Sequence, residues 1–172
     1  MDSEKAVLLS ALGNQRAHVL GALEGLSDAQ LRQAVLPTGW SCLGLVQHLT
    51  LDVERFWFID VFAGDGELGR IDQRGDDPAL AWKVGEEVAA ESVLEGYRRT
   101  VERATAVIEG SSLDAAPSSW PEFFGAWRLE NLREIVVHVI CETAIHAGHV
   151  DVVRELLDGT TWLILTEDEA SG

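Results

Sequence analysis

His138-Val139-Ile140-Cys141-Glu142-Thr143-Ala144-Ile145-His146-Ala147-Gly148-His149 is the stretch on which the architecture turns. At about 100° per residue, the steps from 138 to 142 and from 142 to 146 each advance about 40° around a helix axis, and position 149 falls between 138 and 142. Three histidines and a glutamate thus share one stripe. Ile135, Val139, Val150, Val153 and Leu156 occupy the same sector, so polar ligating groups stand on the face meant for the core. Burying them costs several kcal/mol unless they are paired or hold a metal.

Around this stretch, residues from about Glu130 to Asp158 form one long helix, closed by Gly159 at the position where a left-handed residue ends a helix. Upstream, Ser111 to Trp127 holds two prolines and two tryptophans and reads as a long connection. Before it, Ser92-Val93-Leu94-Glu95 matches a capping box opening a helix through Tyr97, Val101, Ala104 and Ile108 to Gly110. Ala79 to Val88 shows no decided period, and Gly64 to Pro78, rich in Gly and Asp, reads as a loop.

A further helix starts at Ser41 as N-cap and ends before Gly64, carrying Leu45, Leu49, Phe56 and Ile59 with His48 and Asp52. The first runs from Ser3 to Leu23 and is broken at Gly25. Ser27-Asp28-Ala29-Gln30 is a capping box for a short piece ended by Pro37 and Gly39. Thr161 to Thr166 has strand character but no partner, and the acidic tail 166–172 is expected to fray. Four amphipathic helices with two long connections predict an all-α four-helix bundle, a single domain over 1–165.

The chain has 172 residues, 47% of them hydrophobic, and no unbroken run of eighteen apolar residues. Thirteen basic against twenty-nine acidic side chains give a net charge of −16, which disfavours nucleic acid and anionic membranes. The charged start Met1-Asp2-Ser3-Glu4-Lys5 lacks the pattern of a signal peptide, so a cytoplasmic location is expected. Cys42 and Cys141 form no CxxC pair and read as two independent thiols.

An i, i+4 pair sets two ligands on adjacent turns, and a third must come from another helix. His48 is the one histidine of the second long helix. Two histidines and a carboxylate would leave an open position on a divalent ion, the catalytic pattern. Spacing alone does not choose among the pairs 138/142, 142/146 and 146/149. Asp52, one turn beyond His48, is a hydrogen-bond partner for that histidine or a solvated carboxylate, and Glu54 and Arg55 suggest a local ion pair. Trp40, Trp57, Trp120 and Trp127 read as packing more than as a substrate cage, and His18 as an ordinary core histidine.

Gly39-Trp40-Ser41, Leu45-Val46-Gln47-His48-Leu49 and the quoted stretch 138–149 together resemble the DinB/YfiT-like metalloprotein superfamily, and within it the actinobacterial branch with mycothiol-dependent enzymes. The likeness covers almost the whole chain. It implies that His48 joins a ligand pair falling on Glu142 and His146. Glu142 departs from the commoner three-histidine pattern, as in some mycothiol-dependent members, and Ala147-Gly148 stands where the superfamily often has Arg-Gly. Zinc is the first expectation, with nickel, iron and manganese also compatible. The resemblance further implies a metal-dependent enzyme that activates a low-molecular-weight thiol such as mycothiol for S-transfer or isomerisation of a small electrophile. His149 and His138 would then contact substrate or move protons, and a homodimer is expected. Two other readings keep the metal: a hydrolase using metal-bound water, and a non-catalytic stress-response module with a structural ion.

Overall fold

The computed structural model describes residues 3–65 and 78–162. Five α-helices are formed there: α1 (Ser3–Gly21), α2 (Asp28–Arg32), α3 (Cys42–His48), α4 (Ala90–Gly110) and α5 (Leu132–Asp158). α3 runs on without a break into a π-helical segment, Leu49–Phe62, and 3₁₀ turns occupy Pro78–Trp82 and Glu122–Phe124. The described residues contain no strand and are all-helical, as the sequence predicts. The tail 166–172, most of the 64–78 loop and most of the strand-like stretch 161–166 lie outside the described residues.

The predicted caps form where short polar side chains meet free backbone donors. Ser27 and Gln30 close a capping box on α2, and the Ser41 hydroxyl accepts from the Gly44 N–H. Gly159 ends α5 at φ 78° as expected, while Asn131, a cap the sequence reading did not single out, accepts from the Glu134 N–H at its start. One expected cap fails. α4 begins at Ala90, ahead of the Ser92–Glu95 box, and the Ser92 hydroxyl donates instead to the Ala89 carbonyl. That bond is a local alternative to capping that serine offers readily.

α1 packs along α5, α5 along the π segment, and the π segment along α4, which also touches α1. Packed among these four rods are Leu12, Val19, Leu45, Phe58, Ile59, Ile108, Ile135, Val139 and Val150, all essentially inaccessible. By length and composition α5 is apolar enough to cross a membrane, but part of its apolar surface is buried inside the protein against α1 and the π segment.

The π segment is wrapped on nearly every side: Phe56 through Phe62 are all buried. Its last carbonyls find donors in the 111–131 connection, where the Ser118 and Ser119 N–H groups reach Phe62 and Val61 at 2.9 and 3.1 Å. Glu54 is completely buried and takes two 2.6 Å bonds from Arg16 of α1, which also donates to Thr105 of α4 at 3.0 Å. The expected Glu54–Arg55 pair is therefore not made. Arg55 lies 3.6 Å from Asp60 instead, because the inward turn of Glu54 puts it within reach of a cation three rods share. Burial pushes the Glu54 carboxyl upward and Arg16 opposes that shift.

Candidate active site

α3 and α5 bring residues almost a hundred positions apart to one place. His48 closes α3, and its Nδ1 lies 3.1 Å from Asp52 Oδ2 one turn on. A carboxylate one turn on, facing Nδ1, orients the ring as ligating histidines usually are, with Nε2 as the nitrogen left for a ligand. The His146 ring meets the His48 ring edge-on at 5.0 Å between centroids, and the His149 ring lies 5.6 Å from His146. Glu142 Oε2 stands 3.9 Å from His146 Nε2.

Of the stripe on α5, only His146 is buried, with a small part of its ring still accessible; His138 and Glu142 are half-buried, and His149 is exposed. Leu156, assigned to the same inward sector by periodicity, is 58% exposed. The polar stripe thus runs along the rim of the core, because each 40° step carries the next residue further around α5. Burial first, then the neighbouring His48 and His149, pull the His146 imidazole down to about 4. It is neutral at physiological pH, the form a metal needs.

His138 is brought to different company. Its ring packs on Trp57 at 4.8 Å and Trp127 at 5.7 Å, in a cluster that includes Trp120 and Phe124. Eight residues of helix set it about 12 Å along the axis from His146. Burial lowers its basicity, and Glu142, one turn on, partly opposes that shift.

Trp82 is the residue that sequence reading missed. Its indole stacks on His48 at 4.1 Å and 14°, and its edge meets His146 at 5.6 Å. The 3₁₀ turn that carries it is fastened to α3 from two sides. Gln47 Nε2 donates to the carbonyls of Ala81 and Lys83 at 3.1 and 2.9 Å. Gly44 has no side chain to keep the Trp82 carbonyl away. The signal available was an apolar island, Leu80-Ala81-Trp82, in a stretch with no period. Trp40, from the Gly39-Trp40-Ser41 motif, lies against both Trp82 and His149, at 6.3 and 6.2 Å.

Two imidazoles sharing a tetrahedral ion through nitrogen place their ring centroids about 5 Å apart. The His48–His146 and His146–His149 separations match that, and His146 Nδ1 is buried with no hydrogen-bond partner, as a nitrogen reserved for a ligand would be. As the side chains stand, no group of three or more His, Cys, Asp or Glu among the described residues is closed up to hold a metal. The donor set is of a kind that suits a divalent ion, and the two ring separations are compatible with one.

His18, by contrast, pairs with Asp151 at 2.8 Å and stacks on Trp162, away from this group. Cys42 is buried and its thiol is pushed up to about 11 by that burial; Cys141 is exposed on the outer face of α5.

No curated protein and no solved structure matches the chain. A family model described as mycothiol-S-transferase matches residues 7–159 and so takes in His48, Trp82, Glu142, His146 and His149. With nine-tenths of the sequence inside that match, which bears out the resemblance carried by the two motifs, the chain belongs to the mycothiol-S-transferase family.

Proposed function

We propose that the protein is a metal-dependent thiol S-transferase that joins mycothiol to a small electrophile. In this reading its four rods form a DinB-like four-helix bundle, the protein works in the cytoplasm, and His48, Glu142 and His146 hold a divalent ion, zinc first. One observation carries the proposal: within the family match, His48 and His146 meet at 5.0 Å from opposite parts of the chain.

An ion held there would favour the thiolate form of a sulfhydryl at its open position. The chain's own groups do the rest. Asp52 orients the His48 ring, and burial keeps His146 neutral. Trp82 covers one face of His48 and keeps water from it. His149, exposed at the rim, takes the thiol proton on a ring nitrogen and passes it to solvent. A new sulfur–carbon bond then forms as the electrophile's leaving group departs with its electron pair. Where the electrophile is an activated double bond, no group leaves: sulfur bonds to one carbon, the π pair moves to the other end of the activated system, and a proton is delivered there from His149, which in that case keeps the thiol proton instead of releasing it. His138, inside the Trp57–Trp127 cluster, contacts the electrophile rather than the thiol.

The test is elemental analysis of purified protein beside a Glu142→Ala/His146→Ala double variant, with thiol transfer assayed on both. About one equivalent of metal in the parent and loss of both metal and transfer in the variant are expected. Unchanged metal content in the variant, or parent turnover that persists in thiol-free buffer, overturns the proposal.

A further inference from the structure

Behind Trp82 lies a cavity of about 300 Å³ lined by Thr38, Gly39, Trp40, Trp82 and Lys83. It is of ligand-pocket size, at the small end of that range. The two indoles that wall it also touch the histidine group, Trp82 on His48 and Trp40 on His149. Anything seated in the cavity is therefore within one side chain of the reacting centre.

The lining has a particular chemistry. Two indole rings with centroids 6.3 Å apart and planes inclined at 55° form a wedge, the face of Trp82 turned from His48 being the one open to it. Indole faces suit the C–H side of a saturated ring, which is apolar, while Thr38 and Lys83 supply a hydroxyl and an ammonium for groups on the ring's edge. A ring that is apolar on its faces and hydroxylated around its rim is a sugar or cyclitol. One ammonium in a protein of net charge −16 is a weak basis for selecting a dianion.

The walls are also preformed. Gln47 ties the Trp82 turn to α3, and the Trp82 carbonyl rests where a Cβ on Gly44 would stand. Prepositioned aromatic walls reduce the ordering cost of binding.

We infer that the Trp40–Trp82–Lys83 cavity is the subsite for the carbohydrate part of the thiol cosubstrate, seating its sugar or cyclitol ring while the cysteine arm reaches the His48–His146 group. This rests on the thiol-transfer reading for its ligand, since mycothiol carries its cysteine on an amino sugar joined to inositol.

The experiment measures binding without catalysis. The glucosaminyl-inositol fragment, lacking the cysteine, is titrated into full-length protein by calorimetry and by tryptophan fluorescence. Trp40→Leu and Lys83→Ala are run alongside, with circular dichroism to verify folding. The fragment should bind the parent and quench its fluorescence, and Trp40→Leu should weaken binding about tenfold, near 1.4 kcal/mol. In assays, the KM for mycothiol should rise while that for the electrophile stays within about twofold. Absence of fragment binding, or unchanged affinity in both folded variants, overturns the subsite. So does a rise confined to the electrophile's KM, which would make the cavity an electrophile pocket. Fragment binding without thiol turnover would sustain the subsite and sink the transferase reading, so the two fail separately.

Discussion

A Cβ placed on Gly44 would lie 2.1 Å from the carbonyl oxygen of Trp82, well inside any contact real atoms make. The close approach is between a helix and the backbone of a turn, so neither side yields cheaply. Gly44→Ala is expected to cost about 1–3 kcal/mol, the range for overpacking, and to push Trp82 off the His48 ring. Urea denaturation measures the first effect and the tryptophan emission spectrum the second. An unshifted spectrum with full stability would contradict this account of the turn.

Acid should weaken the fold through His146. Its imidazole is held at about 4 rather than the ordinary 6.5, so the unfolded chain binds the proton more readily than the folded one. The stability tied to the neutral ring is fully present above pH 6.5 and is lost as pH falls toward 4. A drop of that size corresponds to about 3 kcal/mol, reduced to about 2 by the pocket's partial access to solvent. Denaturation of chelator-treated protein across this window, compared with His146→Gln, should show a shallower slope in the variant.

The Arg16–Glu54 pair makes a separate prediction. Removing Arg16 leaves a fully buried carboxylate with no countercharge, and Arg16→Ala should cost about 3–5 kcal/mol. Arg16→Met with Glu54→Leu removes both charges and should recover much of that loss. A double-mutant cycle by chemical denaturation measures the coupling. Additive losses would mean that the two side chains do not act as a pair.

Thiol chemistry should separate the cysteines. Cys141 is exposed, whereas Cys42 is buried with its thiol raised to about 11, far from the reactive thiolate. A disulfide titrant at pH 8 is expected to modify one sulfhydryl per native chain and two after denaturation. Rapid modification of both without unfolding would contradict the burial of Cys42.

The helices and their caps were legible because they depend on neighbours in sequence: Ser27 with Gln30, Ser41 with Gly44, and Gly159 with the end of α5. That a histidine of the second long helix would approach the stripe on α5 followed from the need of buried ligating groups for a partner from another helix, whereas the choice of residues 142 and 146 came from the family resemblance. Three features were hidden for one reason. Trp82 reaches His48 only because Gln47 and Gly44 bind a turn that has no periodicity of its own. Glu54 chooses Arg16 over its neighbour Arg55, a partner 38 positions away. His138 leaves the stripe for Trp57 and Trp127, which arrive from another helix and a long connection. Each depends on contacts between segments, to which a sequence period is blind.

The widened segment Leu49–Phe62 sets a limit on how this scaffold changes over generations. Its i→i+5 ladder is commonly viewed as an α-helix that has absorbed extra residues. Deleting one residue there would return a turn to the narrower spiral and swing everything beyond it through about 100°. Aromatic rings now facing the interior would meet solvent, and the carboxyl of Glu54 or the serine-bound carbonyls at the far end would lose their partners. Length variation in descendants of this chain should therefore gather in the connections at either side of α4, with the rod itself conserved in count to the residue.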